Sequence, residues 1–176
     1  MDEIVKAALK KWPNVPHVYG WLALDARGDW YLRDGSAQAA GPFPRIKGSR
    51  IEHERLREFI ARNYAADDDG AWFFQNGPQR VYVELEAAPW TWRVTAGTAA
   101  LTSHTGLAAT AAGGWQDEHG RLFVASDLGL GLVHTQDMDA AADVIEHGLW
   151  PAPVAASHAE LVERYGFQLR PTKKPA

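Results

Sequence analysis

The chain has 176 residues, 46% of them hydrophobic and eight of them Trp, with a formal net charge of −4. That is material for one domain with a packed core, which excludes wholesale disorder. With no cysteine it can form no disulfide, thiolate metal site or Cys nucleophile, and its scattered Lys and Arg lack the concentrated positive surface that nucleic-acid binding needs.

From Asp2 to Trp12, the residues Ile4, Val5, Ala8, Leu9 and Trp12 share one helical stripe, with Lys6, Lys10 and Lys11 opposite, and Pro13 ends the run. The segment lacks the apolar core of a signal peptide. No run elsewhere approaches the ~20 apolar residues of a membrane span. A cytoplasmic protein without a membrane partner is therefore expected. A strand follows from Val18 to Leu24, apolar on both faces and so central in a sheet. Asp25-Ala26-Arg27-Gly28 then turns the chain into Trp30-Tyr31-Leu32, and residues 35–44 read as a small-residue loop.

Ser49-Arg50-Ile51-Glu52 has the form of a capping box, opening a helix whose buried stripe is Ile51, Leu56, Phe59, Ile60 and Tyr64. A second turn, Asp67-Asp68-Asp69-Gly70, leads into Trp72-Phe73-Phe74. Asn76-Gly77 reverses the chain again, with Pro78 predicting a connection looser than a two-residue hairpin. From Arg80 to Glu86 the pattern alternates, with Val81, Val83 and Leu85 inward and Tyr82, Glu84 and Glu86 outward. Trp90, Trp92 and Val94 form the next strand, which would place Arg93 opposite Glu84 or Glu86 if the two strands are neighbours.

Residues 98–112, rich in Ala, Thr and Gly, predict one or two strands rather than a helix. Asp117-Glu118-His119-Gly120 is a third turn, ahead of Leu122-Phe123-Val124, and Leu130 to His134 is a further strand. Two short helices close the chain. The first runs from about Asp137, its expected N-cap, to His147; the second starts with a capping box at Ser157 and ends at Gly166. Residues 170–176 have almost nothing to bury and read as a flexible tail.

The three Asp-x-x-Gly turns carry aromatic or apolar residues at matching offsets: Trp30, Trp72 and Leu122, then Tyr31, Phe73 and Phe123. Such matching fits either an ancient duplication or convergence on one favourable turn. Unequal spacing argues against a solenoid or propeller. The expected fold is α+β: a largely antiparallel sheet of about seven to nine strands built from these hairpins, with about four helices packed on it. Residues 1–169 would form a single domain, or two similar β-rich lobes of about 1–95 and 96–169.

The run from Lys11 to Leu22 (KWPNVPHVYGWL), with that from Trp72 to Leu85 (WFFQNGPQRVYVEL), resembles a proteobacterial family of conserved hypothetical proteins of unknown function. The likeness covers most of the chain. The combination of Asp-x-x-Gly-x-Trp, a charged strand and Ala88-Pro89-Trp90 is similar to a second bacterial family of unknown function. That likeness implies a fold of repeated β-rich motifs and a signalling role. Neither family supplies a catalytic residue.

Chemistry-bearing clusters are few. Zinc needs three or four converging ligands, and the nearest approach is His134 with Asp137, which leaves the set incomplete. Ser126-Asp127 with His134 has the residue types of a hydrolase but no nucleophile elbow. Gly113-Gly114 and Gly129-x-Gly131 are too sparse for a phosphate loop, so no cofactor is expected. The densest cluster is Trp12, Asn14, His17, Tyr19, Trp21 and Trp30. It reads either as a core joint or as an apolar pocket with a few polar groups, the usual make-up of a small-ligand site. The leading expectation is a non-enzymatic module binding a small molecule or a protein. The rivals are a hydrolase using His134 with Asp127 or Asp137, and a structural homo-oligomer subunit.

Overall fold

Strands dominate both halves of the chain, and they sort into two sheets of six rather than one. A computed structural model describes residues 1–173 of the protein. The class is α+β, with twelve strands and five α-helices among those residues. Two units separate: one holds Met1–Asp25, Asp29–Glu86 and the segment from Phe167 onward, the other Ala26–Gly28 and Ala87–Gly166. The second unit thus begins ahead of the Trp90 strand rather than after it.

In the first unit the elements run α1 (Glu3–Lys11), β1 (Val18–Leu24), β2 (Trp30–Leu32), α2 (Gly35–Ala40), β3 (Ser49–Arg50), α3 (Glu54–Arg62), β4 (Tyr64–Ala66), β5 (Trp72–Asn76) and β6 (Gln79–Leu85). The sheet order is β3-β2-β1-β6-β5-β4, so β1 is central. It pairs antiparallel with β2 and parallel with β6, setting Leu22 beside Val83 and Leu24 beside Leu85. All four side chains are buried, and Val5 of α1 and Ile60 of α3 are buried in the same unit. This apolar burial is the main stabilising term.

The second unit contains β7 (Trp90–Val94), β8 (Ala100–Ser103), β9 (Ala108–Gln116), β10 (Leu122–Ser126), β11 (Gly129–Val133), α4 (Met138–Glu146), β12 (Val154–Ala155) and α5 (His158–Tyr165). Strands β7 to β11 are antiparallel in succession, and β11 returns parallel to β7 to close a five-stranded barrel. Closure removes the free edges that an open sheet would leave. Trp92 lies across Gly131 of β11 and donates its indole N–H to the Val124 carbonyl of β10 at 2.8 Å. A Cβ at position 131 would stand 2.3 Å from that indole nitrogen. Gly131 is a close-approach glycine.

The three Asp-x-x-Gly segments join β1 to β2, β4 to β5 and β9 to β10, with one geometry. The Asp N–H donates to the carbonyl four residues on (Asp25 to Asp29 at 3.0 Å, Asp67 to Ala71 at 3.0 Å, Asp117 to Arg121 at 3.1 Å). The carboxylate accepts in return from that residue's N–H at 3.0, 2.9 and 2.8 Å. Ser103-His104-Thr105-Gly106 joins β8 to β9 the same way: Ser103 N–H donates to Leu107 O at 2.8 Å and the serine Oγ accepts from Leu107 N–H at 3.0 Å. The glycines at the fourth position have φ between 74° and 85°, which side chains disfavour.

Several local expectations are corrected by pairing over distance. Ser49 and Arg50 form β3 against β2 instead of opening a helix; α3 starts at Glu54, with the His53 ring accepting from Leu56 N–H. The loop predicted at 35–44 contains α2, capped by the Asp34 carboxylate. Asn76 pairs with Gln79, so Gly77-Pro78 is a two-residue connection after all, with Gly77 at φ 57°. Arg93 does not meet Glu84 or Glu86, because β6 and β7 belong to different sheets. Glu84 pairs with buried Arg33 and Glu86 with Lys47. Arg170 donates to the Phe43 carbonyl at 2.7 Å and Pro171 is buried, whereas Thr172 and Lys173 are exposed; the rest of the expected tail lies outside the described residues.

Candidate functional site

The expected aromatic cluster does not stay together, and a backbone irregularity in β1 is the reason. Between Val18 and Leu22 the pairing with β6 shifts register, and Gly20 takes a φ of 77°. The two-residue alternation breaks there. Tyr19 faces one cleft, while Trp21 lies with Val18 in a separate apolar groove beside Leu32, Leu56 and Ile60. Trp30 is buried edge-on against Tyr64. Trp12 ends α1 half exposed, under the Lys11 ammonium, and Asn14 is exposed in the following loop. Of the six residues, only His17 and Tyr19 share a site.

That site is a cleft of about 580 Å³ in the first unit. Its walls are Pro16, His17 and Tyr19, the Asp67–Asp69 turn with Ala71, Arg80 and Tyr82 of β6, and Gln168 with Pro171, Thr172 and Lys173. Each wall is held by a specific contact. Gln79 donates its side-chain amide to the Pro16 carbonyl at 3.0 Å, fixing the approach to His17. Asp67 is spent on structure: one oxygen accepts from Asp69 and Ala71 N–H, the other from the Tyr82 hydroxyl at 2.9 Å. The final segment is pinned by Gln168 N–H to Gly70 O, the Gln168 amide to Asp69 O at 3.0 Å, and Leu85 N–H to Leu169 O.

The floor is aromatic. Tyr19 and Tyr82 stack in parallel with centroids 4.6 Å apart, while His17 and Phe73 meet Tyr82 edge-on at 5.9 and 5.8 Å. Such pairs stabilise beyond the area they bury. The Arg80 guanidinium lies over Phe73, 4.3 Å from its centroid. Burial and the nearby Arg80 charge hold His17 below the usual imidazole range, against the pull of Asp67. Burial raises Tyr82, Arg80 opposes the rise and Asp67 adds to it, so the phenol is neutral near pH 7.

Sequence patterning misses Arg80 and Tyr82, because alternation alone assigns Tyr82 to solvent, whereas it is buried against Tyr19. The alternating run from Arg80 to Tyr82 beside β1 aromatics was the available signal. Gln168 to Lys173 carry none, since their place depends on contacts nearly a hundred residues apart in sequence.

The hydrolase candidates lie in the second unit, where Asp137 feels the charge of His134 as well as that of Arg93. Asp137 forms a two-pronged ion pair with Arg93 at 2.6 and 2.9 Å and accepts from Val94 N–H at 3.0 Å. It therefore does not cap α4 with its side chain. The Arg93 hydrogen bonds hold this carboxyl below its ordinary range. His134 is buried, with Nδ1 accepting from Gln136 N–H. Asp127 lies in the β10–β11 connection and accepts from Thr110 N–H of β9 at 2.9 Å. Among the described residues no group of three or more His, Asp or Glu is placed to hold a metal ion, and no helix is long and apolar enough to cross a membrane.

Fold and cleft together define a two-unit α+β protein with a polar–aromatic cleft on its open sheet. By its sequence the chain belongs to the family DUF2944, described as a protein of unknown function (DUF2946), whose model matches residues 1–172. In structure it is similar to a DUF1285 family protein from Silicibacter pomeroyi DSS-3, with a TM-score of 0.51, 14% identity, and coverage of 82% of this chain and 85% of that one. A DUF1285 family protein from Shewanella baltica OS155 aligns with a TM-score of 0.44 and 13% identity over 70% of this chain and 91% of the other. The first likeness is one of fold. No curated protein matches the chain.

Proposed function

We propose that the protein is a non-enzymatic small-molecule-binding protein and that the ligand sits in the cleft between the Tyr19–Tyr82 stack and the Asp67–Asp69 turn. The observation that carries this reading is the convergence of an aromatic floor with Arg80, Lys173, Gln168 and the acidic turn around one recess. Its volume of about 580 Å³ falls in the range typical of small-ligand sites, which combine apolar walls with a few placed polar groups. The polar groups come from β1, β6, a hairpin turn and the final segment, four elements far apart in sequence. Asp67 and Tyr82 already satisfy one another, which leaves a preorganised surface rather than an activated nucleophile.

The test is amide-resolved NMR with a panel of amino acids, nucleosides, monosaccharides and dicarboxylates. A binding member should move the resonances of residues 16–19, 67–71, 80–82 and 168–173. Tyr19→Ala should weaken that binding by about tenfold, the effect of losing one stacking partner. Trp21→Ala, in the separate groove, should leave it unchanged. Shifts confined to the Trp21 groove or to the second unit, or no shifts from any member, would rule out the cleft as the binding site.

A further inference from the structure

The first unit has a second recess, of about 310 Å³, between the sheet and α3 with the Ile51 segment that leads into it. Val18, Val81 and Phe74 are cross-strand neighbours on β1, β6 and β5 and form one row of its floor. Leu22 and Leu32, neighbours on β1 and β2, form another, and Asn76 beside Gln79 marks the end near the β5–β6 turn. Consecutive strand residues ordinarily face opposite sides, yet Trp21 and Leu22 both line this recess. The register break between Val18 and Leu22, with Gly20 at φ 77°, re-aims Trp21. The backbone there is held on both sides: Trp21 O accepts from Arg33 N–H at 2.9 Å, and Leu22 pairs with Leu32 and with Val83.

Trp21 is 42% exposed, Leu32 48% and Leu56 41%, while Leu22, Ile60 and Phe74 beside them are buried. Single apolar side chains at a surface need no explanation, but three large ones around one recess mark a binding surface. Charge and size restrict what covers it. No lining residue is ionisable, so a charged group buried there would have no ionic partner. The three side chains offer at most about 330 Å² between them, taking ~250 Å² for a fully exposed large aromatic. A stable protein interface buries roughly 800 Å² on each partner, so this face falls well short of what a second copy needs. Strands β1, β6 and β5 are paired on both sides, which leaves a peptide no edge to extend. The lining spans four strands, about 14 Å across, and about 13 Å along β6 from Gln79 to the level of Leu22. That is the outline of a plate rather than of a channel for an extended chain.

We propose that this recess is a second ligand site, distinct from the cleft, for a neutral, flat ring compound carrying one hydrogen-bonding group. The rings lie on the row of Val18, Val81 and Phe74, with Trp21 and Leu56 against them. The polar group reaches Asn76, which is exposed at the end of the recess, whereas the Gln79 amide is already given to Pro16 O. The volume suits a compact ligand, at the lower end of small-molecule sites.

The test is a titration of the full chain with β-naphthol, β-naphthoate and β-naphthylmethylamine, one ring system in three charge states, followed by methyl and indole N–H NMR. β-Naphthol should move the Trp21 indole resonance and the Leu22, Leu32 and Leu56 methyls. Each charged analogue should bind at least about tenfold more weakly. Trp21→Ala should weaken β-naphthol binding about tenfold, and Asn76→Ala about fivefold, the effect of one neutral hydrogen bond. Leu32→Gln, at a half-exposed position, probes the same recess should Trp21→Ala fail to fold, with an expected loss of about fivefold. Equal binding of the three analogues, shifts away from these residues, or no shifts at all overturn the inference. So does a dimer in light scattering that Leu32→Gln dissociates, since a second copy would then be the cover. The recess and the cleft share no lining residue, so either result leaves the reading of the cleft where it stands.

Discussion

His104 is the buried imidazole through which the second unit feels mild acid. Its Nδ1 accepts from Thr91 N–H at 3.3 Å and its Nε2 is shielded from water, so the imidazole is held neutral. Burial lowers its pKa from 6.5 to about 3. Between those values the unfolded chain binds a proton that the folded protein does not. Stability therefore falls as pH falls, by about 1.4 kcal/mol per unit. Asp117 and Asp137 act lower: both carboxyls are held below 3.8, so their contribution is present above that value and lost only on further acidification. His104→Asn keeps a hydrogen-bond acceptor without the titration. Urea unfolding between about pH 5.5 and 4 should show a slope against pH smaller by about 1.4 kcal/mol per unit than in the parent. Equal slopes in the two proteins would show that His104 is not the group. Gly131 is a second position where one residue decides packing. Gly131→Ala must displace the Trp92 indole from Val124 O, with an expected loss of about 2–3 kcal/mol in the same assay.

Among the elements, the hairpin turns rank by what their first residue holds. Asp117 accepts from His119 and Arg121 N–H and pairs with the Arg121 guanidinium at 2.7 Å, its side chain fully buried. Ser103 offers only a neutral hydroxyl to the same kind of loop. Asp117→Ala should therefore cost about 2–3 kcal/mol and Ser103→Ala about 1 kcal/mol, read by thermal or denaturant unfolding. Equal losses would mean that the carboxylate's charge adds nothing to the turn. The Asp-led turns are legible in sequence because both of their requirements, an acceptor at the first residue and positive φ at the fourth, are local. The serine version escapes notice only because Ser-x-x-Gly is a weaker signal. The capping box at Ser157 is equally local, and both of its reciprocal bonds form. The same pattern at Ser49 misleads, because β2 claims Ser49 and Arg50 for its edge and Ile51 N–H donates to Trp30 O. In the candidate site, His17 and Tyr19 can be read from composition, while the departure of Trp21 needs the Gly20 irregularity and the arrival of Tyr82 needs the parallel β1–β6 pairing. Those are events between strands, invisible to a window of ten residues.

At the scale of the whole molecule the last segment matters more than its composition suggests. After α5 closes the second unit, residues 167–173 belong to the first. Phe167 is buried, Leu169 O accepts from Leu85 N–H at the end of β6, Gln168 bonds to the β4–β5 turn through both main chain and side chain, and Arg170 reaches Phe43 O. The chain's end thus ties the end of β6 to the β4–β5 turn, and that turn also frames the cleft. Truncation after Gly166 removes a buried Phe, worth about 2–3 kcal/mol of apolar burial, together with these hydrogen bonds. The loss should fall unevenly. Hydrogen exchange read by mass spectrometry should show faster exchange over β4, β5 and β6, with the barrel strands β7 to β11 retaining their protection, since local opening follows the contacts removed. The same truncation deletes Gln168 and Lys173 from the cleft wall, so any ligand that moves the Tyr19 and Arg80 resonances in the full chain should bind the shortened one at least about tenfold more weakly. If exchange instead rises equally in both units, the chain unfolds as one cooperative body and the segment is a global clasp rather than a local one.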